Sequence, residues 1–379
     1  MKISLLTSVC LLASGIVFAQ SPLGNAQLPV STATQNKKVV LEEFTGTGCT
    51  WCPDGHKRAD ELVAANNGNV FVINIHAGSF AGNNPDYKTP FGTALDAQTS
   101  RTGYPFGTIN RTFFPSYAQN TANPGTAMSR GSWTNAASII MQETSYLNVA
   151  MQSTIDYATR ELVVNVEVYY TDDSPESKNF LNIALVQDKI IGPQSGKEKY
   201  PEKVVGTEYQ HDKMLRHLLT GQWGDEIATT AKGTLFAKEY KYTIPGDLPL
   251  NGNNTAVVLE DLRLIAYVTE TTQVVVSGNE GPVTKFFLNV KENDDKLKMN
   301  IYPNPFKNSA TISLDMVNSE EVNIRVYNLL GAEVFNYNKT LDSGMNYVPF
   351  DGSNLTDGIY IVKVKVGDID TTRKLSLVR

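Results

Sequence analysis

Two cysteines, Cys49 and Cys52, lie between an apolar run and a helical pattern, and no other feature constrains this 379-residue chain more. Lys38–Phe44 (KVVLEEF) has the composition of a strand. Pro53–Ala65 reads as a helix, with apolar or small residues at Ala59, Leu62, Val63 and Ala65, and Asn66-Asn67-Gly68 as its stop. Val70–Ile75 is apolar almost throughout, as in a strand of a parallel sheet covered on both faces. Strand, helix and strand at this spacing make a βαβ unit, and the cysteines occupy the entry to its helix. A further short strand is predicted over Thr108–Phe114, entered through Gly103-Tyr104-Pro105.

The compartment follows from the first residues. Lys2 precedes an apolar and small-residue run, and Val17-Phe18-Ala19 then Gln20 reads as a signal-peptidase site. The run is shorter than the roughly 20 residues of a spanning helix, so cleavage leaves no transmembrane segment. Cys10, the third cysteine, is poorly placed for lipidation and is read as leaving with the signal peptide over 1–19. The export route leads to the periplasm, where disulfides persist. Cys49 then has only Cys52 to pair with inside the molecule. A net charge of −6 and the lack of a Lys/Arg block give no nucleic-acid footprint.

Three chemistries compete for the pair. As a staple, closing so short a loop contributes only about 2 kcal/mol, against about 3 for a 15-residue loop. As a metal site it lacks ligands. A structural zinc wants four, and the nearby candidates read otherwise: His56 as an exposed helix residue, His76 as a hydrogen-bonded structural histidine at a strand end. As a redox centre it is well placed. The helix N-terminus stabilises a thiolate, Cys49 can attack a disulfide, and Cys52 can resolve the mixed disulfide.

Val39–Leu62 resembles the active-site segment of the thioredoxin superfamily. That resemblance implies a buried carboxylate six residues before the first cysteine, which is Glu43, and a cis-proline opposite the disulfide, for which Tyr104-Pro105 is the candidate. An ordinary exposed strand residue and a plain turn proline are the competing readings. Thr50-Trp51 between the cysteines departs from the common Gly-Pro, which bears on potential and substrate. More of the chain, from Val39 to Thr284, resembles the Omp28-related outer membrane proteins of the Bacteroidota. FTGTGCTWCPDG, INIHAG (Ile73–Gly78), GYPFGTINR (Gly103–Arg111), ALVQD (Ala184–Asp188) and YQHDKMLR (Tyr209–Arg216) carry it in order, with Trp223-Gly224 after them. The resemblance implies a thioredoxin-like domain joined to a β-sandwich and an outer-membrane or surface location. His211, Arg216 and Trp223 read as residues that pack the connecting segment.

After about Thr144 the chain changes to strands separated by turns such as Asp172-Asp173-Ser174-Pro175 and Asn251-Gly252-Asn253-Asn254. A loop with helical pieces is expected over about Lys199–Ala228. The last residues read as short strands: Ala310–Leu314, Glu321–Tyr327, Gly331–Tyr337, Gly358–Val366 and Thr371–Val378. Asn300–Phe306 (NIYPNPF), Val326–Gly331 (VYNLLG) and Leu355–Tyr360 (LTDGIY) resemble the C-terminal sorting domain of type IX secretion substrates. Its partner would be the outer-membrane translocon. A retained adhesion-type β-domain is the alternative.

The expected layout is a signal peptide over 1–19, a linker over 20–38, an α/β thioredoxin-like domain over 39–140, an all-β sandwich over 141–290 and a small sorting β-sandwich over 291–379. The expected function is thiol–disulfide exchange at the outer membrane, cell surface or outside the cell. Cys49 is the nucleophile, Cys52 the resolver, and Glu43 and Pro105 support them. Protein thiols and disulfides are the expected partners, and no cofactor or metal is required. The alternative is a non-enzymatic surface binding or adhesion protein in which the disulfide is structural.

Overall fold

The computed structural model describes residues 30–379, except 67, 83–84, 158, 247–254, 287–296, 329–331 and 368. The signal peptide with Cys10, the linker up to 29, the turn at 251–254, the charged stretch 291–296, Asn67 of the helix stop and the end of the VYNLLG motif lie outside the described residues.

Val39–Thr45 and Val70–His76 pair in parallel, Val39 with Val70 and so on to Thr45 with His76. The helix α1, Cys52–Ala65, crosses between them. Pro53 sits at its start, where a missing N–H costs nothing, and Asp54 meets the positive end of its dipole. Its buried stripe is Cys52, Gly55, His56, Ala59 and Leu62, the three-to-four spacing of one helix face. The helix α2, Pro90–Ala97, follows, with the Thr89 hydroxyl capping it by accepting from Gly92 N at 2.9 Å. Phe106–Ile109 pairs antiparallel with strand 39–45, Met128–Ser129 pairs with 106–109, and the helix α3, Trp133–Ile140, closes this part.

The sheet continues beyond these strands. Met214–Leu218 joins strand 70–76 in parallel at Met214–Asn74 and passes the pairing to Asn179–Gln187, then Leu262–Thr269 and Val275–Phe286. Strand 275–286 changes partner along its length, and its end pairs in parallel with Leu147–Asp156. That strand pairs with Glu161–Tyr170, which pairs with Leu235–Thr243. Strands 147–156 and 161–170 pack face to face on 179–187 and 262–269 through Val164, Val166, Val168, Ile183, Leu185 and Leu264.

One long sheet is therefore covered differently at its two ends. Val39, Leu41, Val70 and Val72 pack on Ala59 and Leu62 of α1 and on Trp133 and Ile140 of α3. On the opposite face Val40, Phe44, Ile73 and Ile75 pack with Leu95 of α2 and with Leu215, Ile265 and Tyr267. Strands 39–45 and 70–76 are buried along their whole length. The C-terminal part is separate in its hydrogen bonding. A three-stranded sheet (Lys298–Tyr302, Ser309–Met316, Gly344–Asp351) faces a four-stranded one (Glu333–Leu341, Glu320–Asn328, Gly358–Val366, Ile369–Leu377). Ile312, Leu314, Ile324, Val326, Val362 and Val364 lie between them.

Several local expectations are corrected. The strand predicted over 108–114 runs instead over Phe106–Ile109. Asn110 and Arg111 take positive φ, 51° and 46°, and end it, because Arg111 turns inward to a buried carboxylate. The stretch predicted as a loop from Lys199 contains 3-10 turns but also the strands Glu208–His211 and Met214–Leu218. Strands 298–302 and 344–351 were not expected. Their alternating exposure hides an inward face that only the opposing sheet reveals. Among the described residues, no helix is long and apolar enough to cross a membrane.

Candidate functional site

Cys49 and Cys52 form a disulfide. Cys52 opens α1 and is fully buried, while Cys49, on the preceding turn, is only 3% exposed. Cys49 N donates to Gly46 O at 3.0 Å, and Gly48 N donates to Phe80 O at 2.8 Å. The loop is pressed so closely on residues 80–81 that a methyl group at Gly46 would collide with their backbone. Between the cysteines, Trp51 points outward and is 54% exposed. Lys199 and Arg130 stand over its ring at 4.8 and 5.3 Å, and Arg130 also pairs with Asp54.

Beneath the first turn of α1 lies Glu43. It is fully buried, and neither carboxylate oxygen has a hydrogen-bond partner. Burial pushes its pKa well above the ordinary 4.5, Asp60 pushes the same way, and Lys213 and Arg130 oppose them. Burial thus favours the neutral form of the carboxyl. Gly55 makes room for it, since a methyl there would strike Glu43 Oε1 and approach Pro105 Cγ to 3.1 Å. The Tyr104–Pro105 peptide is cis. Glu43 and Pro105 therefore meet under the helix that starts at Cys52.

The same sheet face carries a row of polar side chains, because Glu43, Thr45, Asn74 and His76 share it through the pairing of Glu43 with Asn74 and Thr45 with His76. His56, expected on the surface, is only 6% exposed. Its position four residues after Cys52 puts it on the buried stripe, and helical spacing was the signal that could have placed it there. His56 Nε2 hydrogen-bonds the Thr45 hydroxyl at 2.8 Å and its Nδ1 the Tyr209 hydroxyl at 2.9 Å. His76, expected to be hydrogen-bonded, has no partner at either ring nitrogen. His211 Nε2 donates to Pro193 O at 3.3 Å, and its ring centre is 5.4 Å from that of His76 and 6.4 Å from that of His56. Burial lowers all three pKa values: His56 to about 3, His211 to about 4, and His76 well below 6.5. All three are neutral imidazoles at physiological pH. Among the described residues, no group of three or more His, Cys, Asp or Glu is arranged to hold a metal ion.

Residues distant in sequence complete the site, and no local pattern announced them. Gln194 Nε2 donates to Cys49 O at 3.0 Å and Gly46 O at 3.2 Å. Ser195 N donates to Thr47 O at 2.8 Å. On α1, Asp60 accepts from Lys213 Nζ at 2.5 Å and from the Tyr200 hydroxyl at 2.9 Å. Burial alone would raise the Asp60 carboxyl, but Lys213 and Lys203 outweigh it and lower its pKa. On the far face of strand 39–45, Glu42 forms a buried ion pair with Arg111, Oε1 to Nη2 at 2.6 Å, and the Tyr267 hydroxyl accepts from the same Nη2 at 3.0 Å. Arg216 is buried against Gln187, Thr255 and Ala256, and Trp223 packs on the core beneath α2.

Residues 92–280 match the outer membrane protein Omp28 family, and residues 300–378 match the secretion system C-terminal sorting domain. No curated protein matches the chain. Among solved structures, HBP35 of Porphyromonas gingivalis is similar over 91% of this chain and 99% of its own, with a TM-score of 0.51 and 17% identity. At that identity the likeness speaks for a shared multi-domain fold. A protein from Agrobacterium tumefaciens aligns with 65% of this chain and 95% of its own, at a TM-score of 0.38 and 11% identity. A domain of the outer membrane lipoprotein Omp28 from P. gingivalis aligns with 37% of this chain and 98% of its own, at a TM-score of 0.24 and 17% identity.

Proposed function

Starting from an exported outer-membrane or cell-surface protein of the Omp28 type, with a secretion-system sorting domain at its C-terminus, we propose that residues 39–140 are a thioredoxin-like module that exchanges thiols and disulfides through Cys49 and Cys52. The observation that carries this reading is Glu43. A buried carboxyl without a partner costs on the order of 1–3 kcal/mol, and a purely structural disulfide gives no reason to keep one beneath it. The parallel pair 39–45 and 70–76, the antiparallel strand 106–109 and the cis bond before Pro105 support the same reading.

The exchange balances as follows. A substrate thiolate attacks Cys49 Sγ, forming the mixed disulfide and expelling Cys52 as a thiolate. The neutral Glu43 carboxyl supplies the proton that Cys52 takes up. A second substrate thiolate then attacks the substrate sulfur of the mixed disulfide, and Cys49 leaves as a thiolate stabilised by the α1 N-terminus. The substrate dithiol is oxidised by two electrons and the protein is reduced. The reverse sequence reduces a substrate disulfide.

The test is exchange with a model disulfide by the mature protein, together with the potential of the pair. Turnover that Cys49→Ser abolishes, and a potential between about −120 and −270 mV, are expected. Equal rates for wild type and Cys49→Ser would refute the exchange reading. A second reading, a scaffold with a closed structural disulfide, is favoured by the 3% exposure of Cys49. A potential below about −300 mV would select it. The sorting domain directs the chain to the secretion machinery, and removal of residues 300–378 is expected to leave the protein in the periplasm.

A further inference from the structure

The cover over Cys49 comes from outside the βαβ unit. Pro193-Gln194-Ser195-Gly196 follows the strand Ile190–Gly192, which pairs with Glu208–His211, and lies across residues 46–50. Four contacts hold it: the two bonds from Gln194 Nε2 to Gly46 O and Cys49 O, the bond from Ser195 N to Thr47 O, and the seating of Gly196 on Thr50. Gly196 has φ +71°, and a side chain there would collide with the Thr50 carbonyl. The chain that follows is tied to α1 through Tyr200 and Asp60, and to Trp51 through Lys199. Three adjoining residues, Gln194, Ser195 and Gly196, thus engage the backbone of the loop that carries the attacking sulfur.

We infer that residues 193–196 are the specificity-determining element of the exchange site and restrict it to low-molecular-mass thiols and disulfides. The inference rests on the exchange reading above. Exchange needs three sulfurs nearly in line, so the substrate sulfur must approach Cys49 Sγ along one direction. A disulfide in a folded protein brings its flanking backbone with it, and that backbone must lie against residues 46–50. The strap already occupies the carbonyls of Gly46, Thr47 and Cys49 there. A small thiol brings no such flank. The step itself is unchanged: two low-mass thiols become one disulfide as the Cys49–Cys52 bond opens, or the reverse.

The experiment uses the mature full-length protein with Cys52→Ser, so that Cys49 is its sole thiol, and compares labelling by N-ethylmaleimide with labelling by a maleimide carried on a long polyethylene glycol chain. With the native strap, the large reagent is expected to react at least about tenfold more slowly, the factor set by a local opening of about 1.4 kcal/mol. Gly196→Ala, which lifts the strap sterically, and Gln194→Ala, which removes two of its bonds, are each expected to shrink that ratio. Equal labelling by both reagents with the native strap, or a ratio that neither substitution moves, overturns the inference. In parallel, reduced protein with both cysteines is given glutathione disulfide or native insulin. Faster exchange with glutathione disulfide is expected, and Gly196→Ala should narrow the difference. Insulin reacting as fast as glutathione disulfide overturns the strap as a selector. Size-dependent labelling with no exchange towards either disulfide overturns the exchange reading alone.

Discussion

The N-terminal part of the long sheet and the C-terminal sandwich are both built on buried strands, yet they fill their interiors differently. In strand Gly358–Val366 the inward positions are Tyr360, Val362, Val364 and Val366, with Lys363 and Lys365 outside. Among the described residues of the C-terminal sandwich, only Ser313 and Thr371 are buried polar ones. In strands 39–45 and 70–76 nothing points to water, and Glu42, Glu43, Thr45, Asn74 and His76 are all inside. An alternating strand buries one apolar face and is satisfied. A strand covered on both faces buries every residue, so each polar one needs a partner or remains a cost. The first arrangement suits a sorting domain that has only to fold. The second supplies titratable groups beneath a disulfide.

This contrast can be broken most severely at the sulfur. Cys49→Ser is expected to reduce exchange to the uncatalysed background, measured by disulfide reduction, without disturbing the C-terminal sandwich. Next comes the far face of the same strand. Arg111→Met leaves Glu42 buried without its cation, and denaturant unfolding is expected to show a loss of about 3–5 kcal/mol. A loss below about 1 kcal/mol would mean that the buried pair does not bear on stability.

The histidines set the acid limb. Their folded pKa values lie below the unfolded value of 6.5. The unfolded chain therefore binds protons that the folded chain refuses, and stability present above pH 6.5 is lost as pH falls towards about 3 to 4. Each such histidine contributes a slope of about 1.4 kcal/mol per pH unit. His76→Gln is expected to make the acid limb shallower by about that amount in a pH series of unfolding curves. An unchanged slope would show that His76 titrates normally in the folded protein.

Glu43 acts with the opposite sign. Its folded pKa is raised, so its contribution is fully present below the unfolded value of 4.5 and is lost as pH rises towards the folded pKa. Glu43→Gln removes that loss. It is expected to stabilise the protein by about 1–2 kcal/mol at alkaline pH while slowing the release of Cys52, so that stability rises as exchange falls. A variant that loses stability across the whole range would contradict the neutral, unpartnered carboxyl. The smallest effect belongs to the sorting sandwich. Lys363 stands over the Tyr327 ring at 5.8 Å on its outer face, and Lys363→Ala is expected to change stability by less than about 0.5 kcal/mol.

Much of the site's core was legible along the chain. Val39–Thr45, α1 and Val70–His76 are local patterns of 7, 14 and 7 residues, and hydrophobic periodicity reports such segments directly. The cysteines and Glu43 lie on or beside them, and Pro105 directly precedes strand 106–109. The sorting-domain motifs NIYPNPF and LTDGIY were legible for the same reason, since each joins a strand end to a turn. The burial of His56 is written in its helical spacing from Cys52, although its polarity points to the surface. The Glu42–Arg111 pair was not legible, because it joins a strand residue to one beyond the end of a different strand. Tyr209, Gln194 and Asp60 were not legible either. Their contacts span about 140 to 150 positions, a separation across which no sequence period carries information.

The sequence by itself determined the chemistry available at the helix entry: which sulfurs can pair, which carboxylate lies six residues upstream, and which proline precedes the antiparallel strand. Those are consequences of short-range geometry, since a strand and a helix repeat on fixed periods. Only the tertiary structure decided the state and reach of that chemistry. It sealed Glu43 from water and so raised its pKa, brought His76 and His211 to His56 of α1, and laid Gln194 and Ser195 over the backbone at Cys49. The physical reason is that burial and desolvation depend on what arrives from elsewhere in the chain, here through the pairing of Met214 with Asn74 that joins the two parts of the sheet.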